Sequence, residues 1–219
     1  MRKFNAWANR LGVFFLMAII FLVVGSSSES QALGIEDIKS DIENYAKAGN
    51  IDAVADLASQ NPAIAAVIAE IAAQANSTLA IAIAVSVAKA VPDKAAEIAA
   101  RIASIVPDKA AEIAGMVAAI APNYAIIIAG KVAEAVPEHA ADIAVSVAEA
   151  VPHKYAADIA AWVASVVPGA AAEIAYRVTE VAPEYKDSIE KNIADAIVRS
   201  EKKEGTPPPV PSVPPPYGQ

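Results

Sequence analysis

The sequence predicts an all-α fold in which tandem 15-residue units, each a short helix opened by proline, stack as an α-solenoid. Three observations carry this expectation. Prolines recur at Pro62, Pro92, Pro107, Pro122, Pro137, Pro152, Pro168 and Pro183, 15 residues apart except for one step of 16 after Pro152 and for Ser77, which stands where a proline is due. With the extra residue placed early in its unit, Ile holds position 7 of every unit: Ile68, Ile83, Ile98, Ile113, Ile128, Ile143, Ile159, Ile174 and Ile189. Position 11 holds Val, Ile or Ala throughout, from Ala72 to Ile193. Nine units at one period are the signature of a repeat architecture.

The helical reading follows from the rotation of about 100° per residue. Counted from its proline, a unit places positions 4, 7, 8, 11, 12, 14 and 15 on one half of the cylinder. Positions 2, 3, 6 and 13 fall on the other half, where Asp93, Lys94 and Glu97 stand with their counterparts Asp108, Lys109 and Glu112. The pattern is an amphipathic helix with a wide apolar face. Abundant Ala raises helix propensity and lets neighbouring helices approach closely.

The prolines set the breaks. Inside a helix, proline removes one hydrogen bond, clashes with the preceding turn and costs about 3 kcal/mol. At the first helical position it is welcome, and the residue before it is pushed toward an extended shape. Each unit is therefore expected to form one helix of roughly 12 residues, about 18 Å long. A turn of two or three residues should then reverse the chain, with neighbours packed antiparallel. One unit cannot fold alone. Burying an Ile and a Val yields roughly 3–6 kcal/mol, against roughly 15–30 kcal/mol to order 15 residues. The units must shield one another, which is the logic of a solenoid.

Residues 1–32 read as a secretory signal. Arg2, Lys3 and Arg10 form its positive region, residues 11–24 its apolar core, and Ser30-Gln31-Ala32 a small-x-small cleavage site. An uncleaved membrane anchor is the alternative, although the 14-residue core is shorter than the ~20 residues a spanning helix needs. Residues 33–61 read as an N-terminal helical cap: Ile35, Ile38, Ile42 and Tyr45 have helical spacing, Gly49 is a stop and Asn50 a cap for a second helix. Residues 62–204 hold the repeats, ending in a longer, more charged unit suited to a C-terminal cap. Residues 205–219, with seven prolines in 15 residues, read as an extended polyproline-II tail without a core. Pro208, Pro211, Pro214 and Tyr217 are its candidate docking residues. Two charge-free stretches, residues 71–88 and 113–130, each contain a unit boundary and are expected to be central helices of the stack rather than membrane spans.

Composition narrows function. The 219 residues carry 17 Lys and Arg against 25 Asp and Glu, for a net charge of −8, with no basic stripe to suit nucleic acid. The absence of cysteine excludes disulfides, zinc-thiolate sites and a lipoprotein anchor. Candidate chemistry is sparse. His139 and His153 follow successive prolines, with Glu138 near, but no ligand cluster forms by spacing, and no metal or cofactor is expected. Ser86 and Ser146 share one unit position and have no histidine partner placed by sequence. Glu97, Glu112, Asp142, Asp158 and Glu173 recur at position 6 and should form solvated acidic rows. No catalytic constellation is present and no enzyme activity is expected. Aromatic residues off the apolar face are the remaining signal: Tyr155, Trp162, Tyr176 and Tyr185 either form a candidate interaction patch or cover the inserted residue of the 16-residue unit.

The stacking resembles the α-solenoids, such as tetratricopeptide and HEAT arrays. The unit here is half their length and has none of their signature residues, so the resemblance implies architecture only. The expected role is an exported scaffold or interaction module, periplasmic or extracellular, whose partner is a protein or another copy of itself. No small-molecule ligand is identifiable. The alternative is a lipid-surface protein that opens its amphipathic helices onto a membrane.

Overall fold

The structure is a computed structural model and describes residues 29–202. Residues 1–28 of the expected signal, and the Pro-rich tail, lie outside the described residues. Residues 1–40 and 41–219 form two compact units, with the division falling inside the first described helix. The first unit contributes the opening turns of that helix, and all later described helices belong to the second.

Every regular element among the described residues is an α-helix or a three-residue 3-10 turn. The helices are α1 (Glu29–Lys47), α2 (Ile51–Gln60), α3 (Ala65–Ala75), α4 (Ala80–Ala90), α5 (Ala95–Ile105), α6 (Ala110–Ile120), α7 (Ala125–Ala135), α8 (Ala140–Ala150), α9 (Ala156–Val166), α10 (Ala171–Val181) and α11 (Lys186–Lys202). From α3 to α10 each helix has 11 residues, and a 3-10 turn precedes it. One linker residue completes the period of 15.

The linker shows how proline sets the corner. Val91 ends α4 at φ −134° and ψ 73°, its N–H still bonded to the Val87 carbonyl at 2.9 Å. Its own carbonyl accepts from the Lys94 N–H at 3.0 Å and so opens the 3-10 turn Pro92–Lys94. Proline at the head of that turn lacks a donor that would have had no partner there. Proline is not the whole cause, because Asn76 before Ser77 has nearly the same geometry, φ −149° and ψ 84°. There the Asn76 side chain anchors the corner: its Nδ2 donates to the Ala46 carbonyl at 3.0 Å, and its Oδ1 accepts from Thr78 Oγ1 at 2.6 Å.

The extra residue of the 16-residue unit lies in the linker. Val151 is extended, Pro152 follows with ψ 131°, and the 3-10 turn begins at His153. The helix register after it is restored, so Ile159 occupies the same core site as every other position-7 isoleucine.

From α2 to α11 each helix packs against its chain neighbour and against the helix next but one. The pairs two units apart fix the directions. Glu70 in α3 meets Arg101 in α5, and Asp93 before α5 meets Tyr124 before α7. Like positions thus stand side by side, and α3, α5, α7, α9 and α11 run parallel in one layer. An 11-residue helix rises about 16 Å, so the helix between two parallel neighbours must carry the chain back. Helices α2, α4, α6, α8 and α10 form that second, oppositely directed layer. The core lies between the layers. All the position-7 isoleucines are at most 1% exposed, and the residues at positions 4 and 11 are buried with them from α3 to α10.

One expected core position is corrected. Position 14 lies at the rim: Ile120 is 39% exposed, and Ala90 and Ala135 are exposed. Position 14 lies only about 20° around the helix from the buried position 7, but it is the last helical residue before the linker.

A helix pair forms at the N-terminal end, but α1 begins at Glu29, inside the expected signal of residues 1–32, and not at residue 33. Gly49 has φ 72°, a conformation glycine adopts without strain, and the N–H of Asn50 reaches the Tyr45 carbonyl at 2.9 Å to close α1. Asn50 Oδ1 then accepts from the Ala53 N–H at 3.2 Å and caps α2. Helix α2 packs on α3 and α4 and so opens the stack.

Candidate interaction surface

The surface is built by one rule. Residues at position 9 of a helix face position 10 of the next helix in the same layer. Glu70 accepts from Arg101 Nη1 at 2.6 Å. Gly115 lies under Ser146, whose carbonyl oxygen would be 3.0 Å from a Cβ built on the glycine. Gly130 lies under Trp162, where a Cβ would overlap the indole Nε1 and Cδ1. A second pairing joins position 6 to position 10: Asp142 binds Arg177 at 2.7 Å and Asp158 accepts from Asn192 at 3.2 Å. The hydrogen bonds that Arg101 and Arg177 donate to Glu70 and Asp142 are the first cause holding their guanidinium groups above the ordinary pKa.

This rule places two of the four candidate aromatic residues, Trp162 and Tyr176, while Tyr155 and Tyr185 stand in the turns. Trp162 is half-buried, seated on Gly130 between α7 and α9. Tyr176 is at position 9 of α10, the last described helix of its layer. It has no later described helix to cover it, is 67% exposed, and donates to Glu180 Oε1 at 2.9 Å. Tyr155 and Tyr185 stand at position 3, in the turns before α9 and α11, and both are half-buried. The candidate docking residues of the tail, Pro208, Pro211, Pro214 and Tyr217, lie outside the described residues.

Position 3 holds an aromatic that sequence reasoning missed. Tyr124, in the turn before α7, is 31 residues before Tyr155, which is 30 before Tyr185. The three tyrosines head consecutive helices of one layer and form a column along one edge of the stack. The signal was their shared unit position, visible only once alternate units are read together. Tyr124 Oη donates to Asp93 Oδ1 at 2.6 Å, and this bond is the first cause holding its phenol above the ordinary value. The Lys154 ammonium lies 5.0 Å from the centre of the Tyr155 ring. Asn123 Oδ1, beside Tyr124, is buried without a hydrogen-bond partner.

The remaining candidates are dispersed. His139 opens α8 and His153 precedes α9, so the length of α8 separates them. His139 Nδ1 is 3.6 Å from Asp142, and His153 Nδ1 is 3.3 Å from Glu184 of the next turn in its layer. The position-6 acids divide between the layers, with Glu97 and Asp158 in one and Glu112, Asp142 and Glu173 in the other, and Ile127 interrupts the first row. Cations tie several of them: Arg101 to Glu97 at 3.3 Å, and Arg177 to Glu173 at 3.3 Å. Ser86 and Ser146 are half-buried on α4 and α8 in the other layer, at the position-10 site. Among the described residues no group of three or more His, Asp or Glu is placed to hold a metal ion. No described helix is long and apolar enough to cross a membrane.

No protein-family model, no curated protein and no solved structure matches this chain.

Proposed function

We propose that the protein is an exported, non-enzymatic scaffold that presents the two outer faces and edges of its helix stack to a protein partner or to further copies of itself. The observation that carries this reading is the division of labour within the unit. Positions 4, 7 and 11 are buried in every unit from α3 to α10, while positions 6, 9, 10 and 13 vary freely in size and charge. A constant interior with a variable exterior is the arrangement by which repeat proteins build binding surfaces. Export rests on the basic and apolar leader pattern of residues 1–32.

The lipid-surface reading has weaker support. A lipid-coating helix must turn its apolar face outward, and here the isoleucines of that face are shielded by the opposite layer. Circular dichroism with and without anionic vesicles separates the two. The scaffold should be fully helical and melt cooperatively without lipid, and helicity that depends on vesicles would sink it.

A further inference from the structure

The tyrosine column on the turn edge of α7, α9 and α11 has a repeat that fits a segment of this same chain. Tyr124, Tyr155 and Tyr185 head parallel helices of one layer, and helices packed side by side lie about 8–10 Å apart. A polyproline-II helix has three residues per turn at 3.1 Å each, so one of its faces repeats about every 9 Å. The Pro-rich segment carries such a face: Pro208, Pro211, Pro214 and Tyr217 follow one another at intervals of three. Extended proline segments are bound by aromatic rows of this kind, because the stiff segment loses little entropy and proline rings lie well against aromatic faces. The exposed Lys154 side chain lies over the Tyr155 ring.

We propose that residues 205–219 dock back, within the same molecule, on the column Tyr185–Tyr155–Tyr124, with Pro211, Pro214 and Tyr217 on successive tyrosines. The reach allows it. Lys202 lies 17 residues beyond Tyr185, about 26 Å along α11. Pro211 is nine residues past Lys202, about 28 Å in extended polyproline form. Two further rungs of about 9 Å each bring Tyr217 to Tyr124. Gly205 supplies the reversal where the chain leaves α11. Tail docking would close this edge while leaving both outer faces of the stack open, so it stands independently of the scaffold reading.

The chain has no cysteine, so a Gly218→Cys substitution in the full-length protein gives a unique site for a nitroxide. The label should broaden the amide resonance of Ala125 most, Ala156 less and Lys186 least. The pattern should vanish when a Pro211→Ala, Pro214→Ala pair is added in the tail. In a mixture of spin-labelled and separately isotope-labelled molecules the broadening should be absent. Two results would overturn the proposal: no broadening along this edge in the labelled chain, or broadening that appears equally in the mixed sample, which would place the tail on a second copy.

Discussion

Trp162 of α9 lies directly on Gly130 of α7, so that even a methyl group on the glycine would overlap the indole. Glycine in a helix interior ordinarily costs up to ~1 kcal/mol relative to alanine. Here the missing side chain makes room for the largest one. Gly130→Ala should therefore destabilise despite the better helix former, by about 1–2 kcal/mol, as overpacked sites do. The melting temperature should fall and the indole emission should shift to the red, read as a difference because Trp7 also emits. In a Trp162→Ala background the same change should become neutral or favourable, a coupling that a double-mutant cycle measures. Gly169→Ala, with nothing within 4 Å of the new methyl, is the control. A rise in melting temperature for Gly130→Ala with Trp162 in place would refute the packing.

Trp162 also shows where sequence reading stops. The period, the proline corners, the isoleucine column and the Gly49–Asn50 stop and cap could all be read from local rules, since each depends on neighbours within one unit. What joins α7 to α9 depends on residues about 31 apart, and no helical-wheel argument inside a unit sees it. Trp162 therefore read as a stray aromatic, and Gly130 as an unremarked small residue. The same blindness hid Tyr124 and grouped Tyr176 with aromatics it does not join. Position 14 failed differently. A wheel measures angle but not where along the helix a residue stands, and position 14 ends its helix.

Core and rim isoleucines should respond differently. Ile113 is fully buried between the layers, whereas Ile120, seven residues on in the same helix, is 39% exposed. Ile113→Ala should cost about 2–5 kcal/mol, with the cavity adding to the lost transfer energy. Ile120→Ala should cost about 0.5 kcal/mol or less, as surface changes do. Because repeat units lean only on near neighbours, Ile113→Ala should also raise amide exchange most in α5 to α8 and least in α2. Uniform protection loss across the stack would contradict a neighbour-coupled solenoid.

The Tyr124–Asp93 bond gives an alkaline signature. The bond holds the phenol protonated, so the folded pKa lies above the ordinary value of about 10. A group raised on folding contributes stability that is fully present below its unfolded pKa and is lost as pH rises through the folded one. Tyr124→Phe should therefore lower the melting temperature slightly at neutral pH, by an amount equivalent to about 0.5–1 kcal/mol. The gap between variant and parent should close above about pH 10. Parallel melting curves from neutral to alkaline pH test this, and a gap that stays constant would show that the bond contributes nothing.

Ser77 offers the converse experiment, a repair rather than a lesion. It occupies the first residue of its 3-10 turn, the place proline takes at Pro62, Pro92 and Pro107. The preceding Asn76, at φ −149° and ψ 84°, has the extended form proline requires of its predecessor. Its side-chain bonds to Ala46 and Thr78 do not involve Ser77. Ser77→Pro should thus fit without strain and restrict the unfolded chain, stabilising by about 0.4–1 kcal/mol. Asn76→Ala should destabilise by about 1 kcal/mol, since it leaves the Ala46 carbonyl without that donor. In the Ser77→Pro background the loss should shrink, because proline then holds the corner that asparagine holds in the parent. Thermal melts of the two single variants and the double variant decide the point. A destabilising Ser77→Pro would mean that this corner, alone among those of the stack, is set by its side chains and not by the backbone geometry it shares with the rest.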